Sequence, residues 1–135
     1  MITKLKALGE APLATCVIVR GELIFMAHKS ERKDENLHQV CQFLSDILIY
    51  PIDDETADLY GKLKASILQR FGPKEKALRR KTDLAKLGFG ENDLWIAAIA
   101  KRYGVTVVSA DQDFQRLKEV VELSVETWWT PEDDR

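Results

Sequence analysis

The sequence predicts an α/β domain with a largely parallel sheet, and three observations carry that expectation. Short apolar, β-branched runs such as "ATCVIV", "ILIYPI" and "VTVV" have the length and bounding residues of strands. Between them lie longer stretches of helical period, the clearest being "DDETADLYGKLKASILQRFG". One such stretch, "NDLWIAAIAKRYG", runs straight into the apolar "VTVV". Strands alternating with helices argue for parallel strands joined by crossover helices.

Taken in order, "ITKLKAL" over residues 2–8 reads as the tail of an amphipathic helix stopped by Gly9 and Pro12. Thr15 to Val19 reads as a strand, while Glu22 to Met26 would sit well in a helix. "ENLHQVCQFLSDI" reads as helix with Leu37, Val40, Cys41 and Leu44 on one face. "ILIYPI" reads as a buried strand ended by Pro51. The next helix has Asp53 or Asp54 as its cap, Ala57, Tyr60, Ile67, Leu68 and Phe71 facing inward, and Gly72-Pro73 as its stop. "PKEKALRRKTDLAKLG" reads as a further charged helix. The helix after Asp93 is apolar on most sides, Val105 to Val108 reads as a fully buried strand, and "LSVETWW" closes as a short one.

The chain has 135 residues, 45% of them hydrophobic, enough for one ordinary domain with a core. Lys and Arg total 20 against 22 Asp and Glu, a net charge of −2. That balance neither demands nor excludes a nucleic-acid partner, because a local patch suffices. Cys16 and Cys41 form no paired pattern and read as reduced thiols. His28 and His38 are not at zinc-ligand spacing. No apolar stretch reaches the ~18 residues of a membrane span, and the start does not resemble a signal peptide. A soluble, cytoplasmic chain without a membrane partner is the expectation.

The acidic residues carry the chemistry. In open parallel sheets functional groups collect at the carboxyl ends of strands and at the starts of helices. Asp111 and Asp113 follow the strand Val105 to Val108, and Asp93 opens the helix that runs into it. The start of that helix and the end of that strand therefore share one edge. Each residue also has a plain structural use. Asp93 and Glu91 complement a helix dipole, and Asp111 and Asp113 are common turn residues. Glu22 lies in the largely apolar "CVIVRGELIFMA", where it is either on an exposed helix face or in need of a partner or metal. Clustered carboxylates repel one another unless a cation intervenes, and oxygen ligands without paired cysteines suit Mg²⁺ or Mn²⁺. Such an ion can activate water for attack on a phosphodiester.

"ATCVIVRGELIFMA", "YPIDDETADLYGKL", "GFGENDLWIAAIAKRYGVTVVSADQDF" and "SVETW" together resemble a PIN-domain protein of the VapC toxin type, over about Lys4 to Trp129. The resemblance implies a PIN-like three-layer α/β/α sandwich with a mainly parallel sheet. It further implies a Mg²⁺- or Mn²⁺-dependent endoribonuclease acting on RNA. By the same resemblance Glu22, Asp93 and Asp111 are metal ligands, and Asp113 is a supporting catalytic acid. Ser109 and Asn92 would hold the site in place, and Phe114 would pack beneath it. The family's usual partner is an antitoxin of the VapB type, and its usual assembly is a homodimer.

One departure stands out. The family opens with an apolar strand carrying an Asp, in the middle of its sheet, and nothing here matches it. The chain is thus expected to be a single PIN-like domain over 1–135, N-terminally truncated and short of one acidic ligand. A buried Leu, Val or Ile contributes ~1.5–3 kcal/mol, so losing several in a central strand would approach the ~5–15 kcal/mol stability of a domain. It would also leave two unpaired edges. A longer natural product, an inactive remnant that still binds an antitoxin or subunit, and completion of the site by another residue are the three explanations.

"PKEKALRRK" brings Lys74, Lys76, Arg79, Arg80 and Lys81 close in sequence, either as a solvated helix face or as a salt-sensitive hold on RNA phosphates. Trp128 and Trp129 could stack bases or pack against protein. "GFG" is not a dinucleotide fingerprint, and no phosphate-binding loop is present.

Overall fold

The computed structural model describes residues 4–7, 13–109 and 113–126, the first segment and Leu13 as backbone alone. Five strands form one sheet in the order β3-β2-β1-β4-β5. They are β1 (Lys4–Ala7), β2 (Leu13–Cys16), β3 (Leu48–Tyr50), β4 (Val105–Val108) and β5 (Val125–Glu126). The helices are α1 (Val17–His28), α2 (Lys33–Ser45), α3 (Asp54–Phe71), α4 (Lys76–Arg80), α5 (Glu91–Tyr103) and α6 (Asp113–Leu117). Strands β2 and β3 pair in parallel, as do β4 and β5. Strand β1 runs antiparallel to both β2 and β4, so the other four strands all point one way. The helix-rich α/β architecture with parallel strands follows the sequence expectation.

The N-terminal segment corrects the reading made from sequence. Residues 4–7 are not the tail of a helix but the middle strand of the sheet. Lys4 pairs with Val108 and Ala7 with Val105, while Leu5 faces Ala14 across the other edge. The two edges expected to be bare are therefore hydrogen-bonded to this chain's own residues 4–7, running in reverse. Lys-Leu-Lys-Ala alternates polar and apolar with period two, which a strand satisfies as well as a short helix end.

Other elements differ in detail. The strand expected over Thr15 to Val19 stops at Cys16, and helix begins at Val17. Strand β3 was expected to be buried, but it lies at the sheet edge with Leu48 58% exposed. The charged stretch after Gly72 gives only the short α4 and a 3₁₀ turn at Ala85–Leu87. Its apolar residues have no helical stripe to bury, so little holds a longer helix together. Ala57, expected to face inward, is exposed, and so is Cys41, expected on one face with Leu37, Val40 and Leu44.

Helix α3 forms where the capping residues place it. The Asp53 carboxylate accepts from the Thr56 backbone N–H at 2.9 Å and from its hydroxyl at 2.7 Å. These bonds, led by the Thr56 hydroxyl and joined by Arg102, hold the Asp53 pKa down to about 2. At the other end the Gly72 N–H reaches the Leu68 carbonyl at 2.9 Å. A Cβ at Gly72 would lie 2.2 Å from that oxygen, which no side chain tolerates.

The core is centred on α5. Leu94, Ile96, Ala97, Ala98, Ile99 and Ala100 are each at most 1% exposed. Leu63 and Ile67 of α3, Val107 of β4, and Phe114 and Leu117 of α6 belong to the same cluster. Gly104 ends α5 at φ 65° and ψ 39°, a left-handed conformation that glycine adopts without penalty. That turn feeds the chain into β4. No helix among the described residues is long and apolar enough to cross a membrane.

Candidate functional site

Topology brings the candidate residues to one edge of the sheet. Strands β2 and β4 both run opposite to β1, so their carboxyl ends share an edge. Helix α1 leaves that edge directly after β2, carrying Glu22 in its first half. Helix α5 precedes β4 through a single glycine, so its first turn, with Asn92 and Asp93, starts from the same edge. Ser109 follows the last residue of β4.

At this edge lies an open depression of about 340 Å³, lined by Val17, Ile18, Gly21, Glu22, Phe25 and Asn92. Glu22 and Asn92 therefore come together from α1 and α5. Val17, Gly21 and Phe25 recur every four residues and form one stripe of α1, with Ile18 and Glu22 as a second row. Phe25 is 63% exposed, an apolar rim beside the carboxylate. Sequence reasoning singled out Glu22 and Asn92 but missed this lining, although the four-residue spacing was available as its signal. Glu22 stands on the accessible side of α1, yet partial burial pushes its carboxyl above the ordinary glutamate value.

The first turn of α5 has no side-chain cap from Gly90. Instead the Asp93 carboxylate folds back over that residue, with Oδ2 3.7 Å from where a Gly90 Cβ would stand. Glu91 turns the other way, toward α3. It accepts a short hydrogen bond from the Tyr60 hydroxyl, and Lys64 Nζ lies 2.9 Å from Oε1. These two donors hold the Glu91 carboxyl below its ordinary value, Tyr60 first and Lys64 second. The Tyr60 ring stacks on Trp95 with centroids 3.8 Å apart and planes 4° from parallel. Sequence reasoning gave Glu91 only a helix-dipole role and did not find this pairing, which spans 31 residues.

The remaining candidates are placed as follows. Ser109 is buried, and its backbone N–H donates to the Glu126 carbonyl at 3.0 Å. Asp113 opens α6 and lies 4.0 Å from Arg116, outside the lining of the depression. Phe114 is fully buried in the core. Asp111, Trp128 and Trp129 lie outside the described residues. None of Lys74, Lys76, Arg79, Arg80 and Lys81 lines the depression. Arg79 is turned back on its own loop, donating to the Lys74 carbonyl at 3.1 Å. A second groove, between α3 and α5, has an apolar floor of Leu59, Leu63, Ala97, Ala98 and Val121 and a rim that includes Lys62, Lys101 and Glu122; none of the candidate site residues lines it.

Among the described residues no three His, Cys, Asp or Glu side chains are grouped as a metal ligand set. The donors at the depression are a carboxylate from α1 and an amide from α5, next in sequence to a second carboxylate. This oxygen chemistry fits a hard cation, since Mg²⁺ is held by one or two carboxylates, keeps several waters and shares substrate phosphates. It fits zinc poorly, since zinc sites are built chiefly on Cys and His.

Comparison with known proteins bears on this geometry. The model of the PIN-domain family matches residues 2–120. The chain is similar to Ribonuclease VapC2 of Haemophilus influenzae, 32% identical over 114 residues that cover 82% of this chain and 71% of that protein. Among solved structures it resembles VapBC2 from Rickettsia felis bound to a DNA fragment from their promoter. There the TM-score is 0.66 and the identity 26%, over 86% of this chain and 74% of that one. It also resembles DNA-bound VapBC from Salmonella typhimurium, with TM-score 0.67 and 25% identity over 84% and 74% of the two chains.

Proposed function

This chain belongs to the PIN-domain family, in its VapC group, and from that premise we propose that it is a metal-dependent endoribonuclease toxin with a VapB-type antitoxin as partner. The observation that supports it most is the meeting of Glu22 with Asn92, beside Asp93, in one open depression at the edge where β2 and β4 end. A depression open to solvent and rimmed by Phe25 admits a single RNA strand, whose bases stack on aromatic faces.

Glu22, Asp93 and, by the family resemblance, Asp111 would hold Mg²⁺ or Mn²⁺. Bound there, the ion supplies positive charge to the phosphate and lowers the pKa of a coordinated water. The chain's own residues do the rest. Glu22 and Asp93 orient the attacking water, and Asn92, a donor and an acceptor, steadies it. The water oxygen bonds to phosphorus, the opposite phosphorus–oxygen ester bond breaks, the water proton passes to a carboxylate, and the leaving oxygen takes up a proton from solvent. Asp113 and Ser109 support from behind the strand end. Lys74, Lys76, Arg80 and Lys81 offer phosphate contacts farther along the RNA. Homodimeric assembly and a cytoplasmic setting belong to the same reading.

The test is cleavage of a structured RNA by the purified chain with Mg²⁺ or Mn²⁺ and with EDTA. Cleavage should require the metal, and Glu22→Gln or Asp93→Asn should each lower it by more than ~10²-fold, beyond the range for outer-shell partners. Metal-independent cleavage, or full activity in both variants, would sink this reading. A second reading has an observation of its own: the middle strand β1 reads Lys-Leu-Lys-Ala and carries no carboxylate. On that reading the chain is catalytically impaired and works by binding an antitoxin or sister subunit. A folded chain that captures a VapB-type antitoxin but leaves RNA intact under all metal conditions would select it.

A further inference from the structure

Glu91 and Trp95 are four residues apart and share the face of α5 turned to α3. Both are engaged by one residue of that helix. Tyr60 stacks its ring on Trp95 and donates its hydroxyl to Glu91. Lys64, one turn further along α3, donates to the other oxygen of Glu91 at 2.9 Å and approaches the Tyr60 hydroxyl at 3.4 Å. Both oxygens of the carboxylate are thereby committed to α3. Asn92, the next residue, is rotated by about 100° around the helix and lines the depression with Glu22.

The two sides of one helical turn thus do different work. Gly90 provides no side-chain cap and, as glycine, leaves the backbone at the entry to α5 unusually free. Leu94 and Phe89 anchor that turn in the core, and the contact with α3 adds a second restraint on its outer side. We propose that Glu91 is a positioning residue, clamped by Tyr60 and Lys64 so that the first turn of α5 presents Asn92 and Asp93 to the depression at the Glu22 wall. This rests on the metal-dependent reading above for its purpose, though not for its geometry.

The pair is solvent-accessible, with the Lys64 and Glu91 side chains 39% and 51% exposed. An exposed ion pair of this kind contributes little to global stability. Partners that orient metal ligands, in contrast, typically change metal affinity by ~10–100-fold when removed. The two roles therefore separate by measurement.

The experiment compares the full chain with Glu91→Ala, Glu91→Gln and Lys64→Met. Three readouts are needed: Mn²⁺ binding by calorimetry, amide hydrogen exchange at residues 92–94, and the urea unfolding midpoint. Glu91→Ala should weaken Mn²⁺ binding by ~10-fold or more and speed exchange at 92–94, with an almost unchanged midpoint. Glu91→Gln keeps an acceptor for Tyr60 and should recover much of the loss. In RNA cleavage the defect should appear in kcat, with KM for RNA held. Unchanged exchange and unchanged Mn²⁺ affinity in Glu91→Ala would overturn the proposal, as would an affinity loss matched by a fall in the midpoint. A wild-type chain that binds no Mn²⁺ would instead remove the metal reading itself, and the positioning role with it.

Discussion

Replacing Ile99 with alanine tests whether α5 is the packed axis on which the site depends. Ile99 is 0% exposed, and its neighbours Ala97, Ala98 and Ala100 are at most 1% exposed. The substitution deletes the equivalent of about three buried methylenes, a transfer loss of ~2.4 kcal/mol at ~0.8 each. A cavity term adds to this, because the close-packed core around Ile99 relaxes only partly into the gap. The total should fall at ~3–4 kcal/mol, inside the range for buried Ile→Ala. Ile99→Val removes a single methylene and should cost ~1 kcal/mol. Urea unfolding followed by circular dichroism reads both. With a slope of ~1–3 kcal/mol per molar urea, the alanine variant should lose on the order of 1–4 M in midpoint. A loss below ~1.5 kcal/mol, or a valine variant as damaged as the alanine one, would refute the reasoning and show that this site collapses or is not close-packed.

Two further outcomes follow from the ends of the long helices. The Asp53 pKa is depressed to about 2 in the fold against ~3.9 unfolded, so its contribution is present above pH ~4 and lost as pH falls toward 2. Asp53→Asn should therefore flatten the loss of urea midpoint between those pH values relative to wild type, and parallel pH profiles would contradict the assignment. Gly104 sits at φ 65° with open space where a Cβ would stand, so Gly104→Ala meets backbone strain and no clash. It should destabilise by ~1–2 kcal/mol, and a neutral or stabilising change would refute it.

How much of this was legible in the sequence depends on how local each feature is. Helix α3 announced itself because its cap and stop lie in its own residues: Asp53 bonds Thr56 three residues on, and Gly72 closes on Leu68. Helix α5 and strand β4 were legible for a similar reason, an apolar run with a glycine between them. Residues 4–7 were not, because four residues of alternating character take their structure from what they pair with. Here that partner is β4, about a hundred positions away. The exposure of Leu48 was hidden too, since an apolar run at a sheet edge looks like one at the centre. At the site, Glu22 drew notice through its apolar surroundings, while its ligand role and Asn92 came from family resemblance. Their meeting follows from sheet direction, and the pairing of Glu91 with Tyr60 and Lys64 from a helix packing that no local spacing encodes.

The reversed middle strand has a consequence for anyone handling the protein. Because Lys4 pairs with Val108, β1 enters the sheet beside the carboxyl end of β4, the edge that carries Ser109 and the first turn of α5. A tag joined to the chain's start is therefore tethered within a few residues of that edge. On the ribonuclease reading proposed above, an affinity tag or fusion partner placed there would share space with RNA and compete with it, and a polyhistidine tag would bring nitrogen ligands beside the carboxylates proposed to hold the metal. Assays of metal binding or cleavage are therefore cleaner on protein tagged at the other end or cleaved free of its tag.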